Sequence, residues 1–170
     1  MTQLAKARAG ITTPEMVRVA EKEGVDAHWL REKIAEGRVV IPANRNHRGL
    51  VPCGIGEGLL IKVNANIGTS SDRSDLAVEL AKLEAALGAG ADTVMDLSTG
   101  GDISLCRRQI LENCPAPLGT VPIYQAVVAA VNESGGLIHL TVDKIFEVIE
   151  IQAAEGVDFI TVHCGLTRAA

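Results

Sequence analysis

Aromatic residues are almost missing from this sequence. Phe, Trp and Tyr make up 2% of its 170 residues, although hydrophobic residues as a whole make up 47%. The core must therefore be aliphatic, which together with 17 glycines suits an α/β protein with buried parallel strands. Blocks of Lys and Arg are also missing, and the net charge is −5. Without a basic face or aromatic stacking platforms, we expect no nucleic-acid partner.

A membrane-length apolar run and a signal peptide are missing as well. The first ten residues carry two basic side chains, but no apolar segment follows them. We therefore expect a cytoplasmic protein with no membrane partner. The cysteines are scattered and include no CxxC pair, which predicts free thiols and no metal or cluster site built from them. They are Cys53, Cys106, Cys114 and Cys164.

What the sequence does have is a regular alternation of strands and helices after its first third. Residues 1–58 predict an N-terminal helical and loop segment, in which Thr13 and Asp26 are expected to cap two helices. Residues 59–170 predict parallel βα units. The four predicted strands are Leu59–Val63, Thr93–Asp96, Leu118–Pro122 and Val157–Val162.

Four βα units amount to half of a (β/α)8 barrel, whose eight strands take about 250 residues. We therefore expect an α/β fold that forms the first half of such a barrel, preceded by the N-terminal helical segment. A half-barrel leaves two sheet edges open. We accordingly expect either a homo-oligomer or a part of a longer protein.

The stretch ADTVMDLSTGGD at 91–102 is the centre of this pattern. It predicts a buried strand, a polar turn with Gly100 and Gly101, and a helix that begins at Asp102. Parallel α/β folds bind their ligands at the carboxyl ends of strands. The backbone N–H groups of the two glycines are suited to an anion such as a phosphate.

Candidate site residues follow or end the successive strands. Asn66 suits a sugar hydroxyl or a ring nitrogen, Met95 suits packing against a flat heterocycle, and His163 suits acid–base chemistry or ligand contact. Tyr124, the single tyrosine, comes just after the third strand. Each residue also has a structural alternative: an Asx turn, core packing, a strand-end histidine and a place in the outer helix layer.

Three further polar residues also have more than one interpretation. We expect Asn64 and Asn66 to point to opposite faces, so that only one of them faces the barrel mouth. Asp96 would either position a ligand group or cap its own loop. His47 lies in the long irregular segment 43–58, and a loop histidine bonded to its own backbone is favoured over an active-site role.

Five sequence blocks resemble one enzyme family, the phosphomethylpyrimidine synthases of thiamine biosynthesis, and they occur in that family's order. Hydroxybenzimidazole synthase of anaerobic cobamide biosynthesis is a close relative with similar N-terminal blocks. The resemblance covers nearly the whole chain. The blocks are IPANRNH (41–47), VNANIGTS (63–70), ADTVMDLSTGGD (91–102), GTVPIYQA (119–126) and GVDFITVHCG (156–165).

The resemblance implies conversion of 5-aminoimidazole ribotide into 4-amino-5-hydroxymethyl-2-methylpyrimidine phosphate, a carbon–carbon lyase reaction. It implies S-adenosylmethionine, a [4Fe–4S] cluster and a divalent metal such as zinc as cofactors of the full-length family. It also implies that the ribotide is contacted by Asn66, Met95, Tyr124 and His163. Asn66 and Tyr124 would make polar contacts, Met95 would pack against the ring, and His163 would make a polar contact or relay a proton.

The family's cluster motif and metal-binding histidines are absent from these 170 residues, so no cluster, metal or catalytic residue is assigned here. We therefore expect the N-terminal half of a substrate site. Two alternatives remain: the hydroxybenzimidazole synthase reaction, and a non-catalytic half-barrel that binds a ribotide.

Overall fold

The computed structural model of the protein describes residues 1–136, 138 and 140–165. Its first part contains three helices, α1 (Gln3–Arg8), α2 (Pro14–Glu23) and α3 (Ala27–Ala35). They enclose a small apolar core that also includes residues just after α3. Its buried members are Ala7, Met16, Val19, Ala20, Leu30, Ile34, Val39 and Ile41.

The predicted helix caps of this part are confirmed. Thr13 Oγ1 accepts a hydrogen bond from the Met16 amide at 3.2 Å, and Asp26 accepts one from the Trp29 amide at 2.9 Å. Each cap satisfies an N–H group that has no partner within its own helix. Gly24 ends α2 in the left-handed conformation with φ 68°, where a side chain would be strained.

A two-stranded antiparallel ribbon connects these helices to the rest of the chain. It pairs β1 (Val39–Val40) with β2 (Ile55–Gly56), and β2 lies inside the segment that the sequence predicted to be irregular. The sequence predicts a short strand over Arg38–Pro42, stopped by its proline, and β1 lies within it. Its partner β2 was not predicted because it is two residues long and carries no periodic signal.

The second part is built on a four-stranded parallel sheet in the order β3-β4-β5-β6. Helices α4 and α5 connect the first three strands, and α6 and α7 both lie between β5 and β6. The expected α/β class and parallel βα units are confirmed, and over the described residues the sheet does not close into a barrel. The strands are β3 (Asn64–Ile67), β4 (Thr93–Asp96), β5 (Leu118–Thr120) and β6 (Phe159–Ile160); the helices are α4 (Leu76–Gly88), α5 (Ile103–Asn113), α6 (Pro122–Ser134) and α7 (Val142–Glu155).

The two faces of this sheet differ in what covers them. Ile67, Val94 and Leu118 face the helices and form a core with α5 residues such as Ile110. Side chains alternate along a strand, so their neighbours Asn66, Met95 and Gly119 occupy the other face. Burying each large aliphatic side chain of the first face contributes about 1.5–3 kcal/mol, which makes the helix-covered face the main source of stability here.

The first predicted strand, Leu59–Val63, is wrong: β3 begins only at Asn64. Leu60 and Ile61 are 71% and 94% exposed. The Leu60 amide donates to Glu23 of α2 at 2.9 Å, and Lys62 pairs with the same carboxylate at 2.9 Å. Residues 60 and 62 of this run are therefore tied to the N-terminal helices. The run meets the sheet only at Val63, whose carbonyl accepts from the Thr93 amide at 3.2 Å.

Two other predicted strands are too long. Pro122 starts α6, because its restricted φ suits the first helical position, so β5 stops at Thr120. The helix then continues through Asn132 and ends before Gly135. Strand β6 pairs only through Phe159 and Ile160, and not over all of 157–162. The predicted domain boundary after residue 58 stays a prediction. The last residues of the predicted segment 59–170, residues 166–170, lie outside the described part.

Candidate functional site

The candidate site lies on the open face of the sheet, towards the carboxyl ends of the strands. Asn66 and Met95 are directly paired neighbours on β3 and β4. The side-chain nitrogen of Asn64, Nδ2, donates to Asn66 Oδ1 at 2.8 Å, and Thr93 Oγ1 donates to Asn64 Oδ1 at 2.9 Å. The expectation that Asn64 and Asn66 face opposite ways is wrong, because residues two apart in a strand share a face.

The same face continues from Met95 to the end of β6. Thr161 Oγ1 lies 3.8 Å from the Met95 sulfur atom. His163 follows Thr161 by two residues, and its ring centroid lies 6.2 Å from that of Tyr124, with 33° between the planes. Contacts thus connect Asn66 with Met95, Met95 with Thr161, and His163 with Tyr124. The predicted residues thus form two contacting pairs at the carboxyl ends of the strands, Asn66 with Met95 and Tyr124 with His163. That the two pairs make one binding rim stays a prediction.

The loops after β3 and β4 are locked together beside this rim. The Leu97 amide donates to the Ile67 carbonyl at 2.8 Å, and the Thr99 amide donates to the Thr69 carbonyl at 2.8 Å. Thr69 Oγ1 in turn donates to the Gly100 carbonyl at 2.6 Å. These bonds continue the parallel pairing beyond the strands. The proposal of an anion site at Gly100 and Gly101 stays a prediction.

Asp96 does not belong to the open face. It is 4% exposed on the helix-covered side, where its Oδ1 accepts hydrogen bonds from the Ser98 amide at 2.9 Å and the Ser98 hydroxyl at 2.5 Å. Burial raises the pKa of this carboxyl, although the two bonds from Ser98 act in the opposite direction. Its local geometry is that of a loop-capping carboxylate, the structural alternative for this residue.

His47 is at the opposite end of the sheet. Its Nδ1 lies 2.6 Å from Asp158 Oδ2, its Nε2 lies 2.8 Å from the Cys114 carbonyl, and both side chains of the His47–Asp158 pair are fully buried. The predicted structural role is therefore supported, but the expected partner was wrong. His47 is bonded to segments 67 and 111 residues away, not to its own loop.

The described cysteines do not provide a cluster site. Cys53, Cys106 and Cys114 are buried and Cys164 is exposed, and no group of three or more metal-ligating side chains occurs in the described ranges. Burial raises the pKa of Cys114 to about 11, and it raises the pKa of Cys53 and Cys106 as well. Protonated thiols are poor metal ligands, so these residues do not fit a cluster.

Several buried polar residues were missed by the sequence-based prediction. Arg107 is 1% exposed, and it occupies the inward face of α5 beside Cys106 and Ile110. A signal for it was present: the helical spacing that makes Ile103, Cys106, Ile110 and Leu111 inward also makes position 107 inward. Its partners, Gln125 on α6 and Glu155 on α7, give no such signal because they are distant in sequence. The same holds for Gln152, which bonds to Gln125.

Membrane insertion can be addressed from the helices. Within residues 1–136, 138 and 140–165, none of them combines the length and the apolar character needed to cross a bilayer.

The parallel sheet has polar side chains at the carboxyl ends of its strands, which is typical of α/β proteins related to the (β/α)8 barrel. The sequence then identifies the family. The chain belongs to the radical SAM ThiC family, whose model matches residues 2–170. Its relatives include the phosphomethylpyrimidine synthase of Moorella thermoacetica, which is 60% identical over 167 residues. Those of Thermoanaerobacter sp. and Dehalococcoides mccartyi are 58% and 55% identical.

These alignments cover 98% to 99% of the chain but 39% of each relative. The chain thus spans about two-fifths of the length of the curated relatives it matches. The family resemblance read from the sequence blocks is confirmed over this part.

Proposed function

We propose that this chain carries the N-terminal part of the substrate site of a phosphomethylpyrimidine synthase of thiamine biosynthesis. The substrate would be 5-aminoimidazole ribotide and the product 4-amino-5-hydroxymethyl-2-methylpyrimidine phosphate. The observation that supports this most is the pair of contact sets at the carboxyl ends of the strands, one joining Asn66, Met95 and Thr161 and the other joining Tyr124 and His163. The names of the relatives favour this reaction over hydroxybenzimidazole formation.

The chemistry of the four side chains suits the two parts of a ribotide. The amide of Asn66 and the phenol of Tyr124 both donate and accept hydrogen bonds, as ribose hydroxyls and a ring nitrogen require. The Met95 thioether packs against flat rings. His163 is exposed beside Tyr124, where it would make a polar contact or relay a proton.

The family implies S-adenosylmethionine and a [4Fe–4S] cluster, with a divalent metal such as zinc as a further expectation. The cysteines of the described part do not fit the cluster. We therefore assign this chain the binding and orientation of substrate and no catalytic residue. We therefore expect the isolated chain to bind the ribotide without catalysing the reaction, which corresponds to the non-catalytic alternative. Self-association and a cytoplasmic location remain predictions.

Calorimetry with 5-aminoimidazole ribotide tests the substrate site. We expect the wild-type chain to bind, and Asn66→Ala and His163→Ala to bind about fivefold more weakly each, since one lost hydrogen bond costs about 1 kcal/mol. Asn132→Ala, an exposed position near the end of α6, serves as the matched control and should bind like the wild type.

Equal affinity of the wild type and both site variants would remove Asn66 and His163 from the proposal. The reaction itself is tested on a whole synthase that contains this segment and its cluster, assayed anaerobically with ribotide and S-adenosylmethionine. A thiamine pyrimidine phosphate product supports the proposal, whereas hydroxybenzimidazole would overturn it.

A further inference from the structure

Beneath the candidate site, five side chains from four elements form one buried polar network. Arg107 of α5 donates through Nε to Glu155 at 2.6 Å and through a terminal nitrogen to Gln125 Oε1 at 2.8 Å. Gln152 Nε2 donates to the same Gln125 oxygen at 2.8 Å, and Thr120 Oγ1 donates to Gln152 Oε1 at 2.6 Å. We call these residues, Thr120, Gln125, Gln152, Arg107 and Glu155, the α5–α7 network.

Gln125 is the hub of the α5–α7 network. Its Oε1 accepts two hydrogen bonds, and its Nε2 lies 3.3 Å from Ser104 Oγ on α5. An amide with partners on both its oxygen and its nitrogen has little rotational freedom. The side chain next to Tyr124 in sequence is thereby held against α5 and α7.

The start of α6 lacks the side-chain cap that the other described helices have. Its N-cap residue is Val121, whose side chain makes no capping hydrogen bond. The other described helices all have a side-chain cap, from Thr2, Thr13, Asp26, Asp75, Asp102 and Thr141. Tyr124 lies in this uncapped first turn. Without a capping side chain, Gln125 supplies side-chain hydrogen bonds near that turn, in addition to the apolar packing of Val121 and Ala126.

The network also reaches the strand from which α6 starts. Thr120 is the last residue of β5 and is bonded to Gln152, which is bonded to Gln125. The end of the strand and the first turn of the helix are therefore cross-linked on both sides of Val121. A side chain held by partners on neighbouring elements keeps the geometry that a binding site needs.

We propose that Gln125, supported by Arg107, Gln152 and Thr120, is the positioning residue that holds the Tyr124 ring against His163 at the substrate rim. The consequence for ligand binding rests on the function proposed above; the consequence for the position of the ring does not. Neither Gln125 nor Arg107 contacts the ligand in this proposal.

The test uses the fact that the chain has one tyrosine and one tryptophan. Tyrosine labelled with ¹³C in its ring gives NMR signals of Tyr124 alone, and cross-relaxation with His163 reports on their contact. Gln125→Met keeps the side-chain length but loses every hydrogen bond of the amide. We expect the Tyr124–His163 cross-peak to fall at least twofold, with Trp29 fluorescence unchanged as evidence that the N-terminal helices remain folded.

Gln109→Met is the matched control, because Gln109 lies on α5 and its side-chain amide donates to Glu112 at 2.9 Å, outside the α5–α7 network. Its cross-peak should equal that of the wild type. If Gln125→Met fails to fold, Thr120→Val and Thr120→Ser decide: valine should weaken the cross-peak and serine, which keeps the hydroxyl, should preserve it. Unchanged cross-peaks in Gln125→Met and Thr120→Val would overturn the proposal, as would equal losses in the valine and serine variants.

Calorimetry with 5-aminoimidazole ribotide separates this proposal from the proposed function. A wild-type chain that does not bind the ribotide, combined with a weakened cross-peak in Gln125→Met, would reject the function and support the positioning role. A wild-type chain that binds, with Gln125→Met binding at least threefold more weakly, supports both. Wild-type affinity and a wild-type cross-peak in Gln125→Met would reject the positioning role alone.

Discussion

The two ends of strand β6 use a histidine in opposite ways. At its amino end, His47 and Asp158 are fully buried and bonded to each other. At its carboxyl end, His163 is exposed and lies beside Tyr124. This difference agrees with the general division in (β/α)8 proteins, where the amino end of the sheet serves stability and the carboxyl end binds ligands.

The hydrogen-bond partners of the buried histidine favour its charged form. Both of its ring nitrogens face acceptors, the Asp158 carboxylate and the Cys114 carbonyl, so both must donate a proton. Burial opposes this charge, but the hydrogen bond and negative charge of Asp158 outweigh it and raise the pKa of His47 above 6.5. Asp158 is itself fully engaged, because it also accepts from the Asn44 and Leu118 amides at 2.7 and 2.8 Å.

The largest effect that would sharpen this comparison comes from removing Asp158. Asp158→Ala leaves a buried imidazolium and two backbone amides without their acceptor, and we expect a loss of about 3–5 kcal/mol of unfolding free energy. Urea denaturation measures it. His163→Ala, the matched change at the other end, should cost less than about 0.5 kcal/mol because the side chain is exposed. Similar losses for both variants would break the comparison.

A smaller effect should appear in the pH dependence of stability. The pKa of folded His47 is raised, so its contribution is complete below the unfolded value of 6.5 and is lost as the pH rises through the folded value. Between pH 6 and pH 9 we therefore expect the stability difference between the wild type and His47→Gln to shrink steadily. Urea denaturation at each pH follows it. A difference that stays constant would show that His47 is uncharged.

The smallest effect concerns Asp96, which is at the carboxyl end but on the helix-covered face. Asp96→Asn keeps the oxygen that accepts both bonds from Ser98 and replaces a carboxyl group whose pKa is raised by burial. We expect unfolding free energy at pH 7 to stay within about 1 kcal/mol of the wild type. Ribotide affinity in calorimetry should be unchanged. A tenfold weaker affinity would place Asp96 in the site.

The parts of the fold with local signals were predictable from sequence. Thr93–Asp96 was predicted with the bounds that the structure has, and the helix predicted at Asp102 begins at Ile103, because Asp102 is its N-cap. The first strand was misplaced because its apolar run is bonded to Glu23, thirty-seven residues earlier than Leu60. Periodicity cannot reveal a partner that distant.

The candidate site shows the same limit. Its four residues were found because each follows or ends a strand and matches a family block. What surrounds them was not found: the asparagine pair on one face, the Asp158 partner of His47, and the network around Gln125. All of these depend on which segments pack together, and this is decided by the assembled fold.

Gly100 has a consequence for the geometry of the whole rim. A Cβ atom at this position would lie 2.1 Å from the Ser70 carbonyl oxygen, a backbone atom that cannot turn aside. Any side chain there would force apart the two loops that follow the paired strands of Asn66 and Met95. The close approach of the loops beside Asn66 and Met95 therefore requires glycine at position 100.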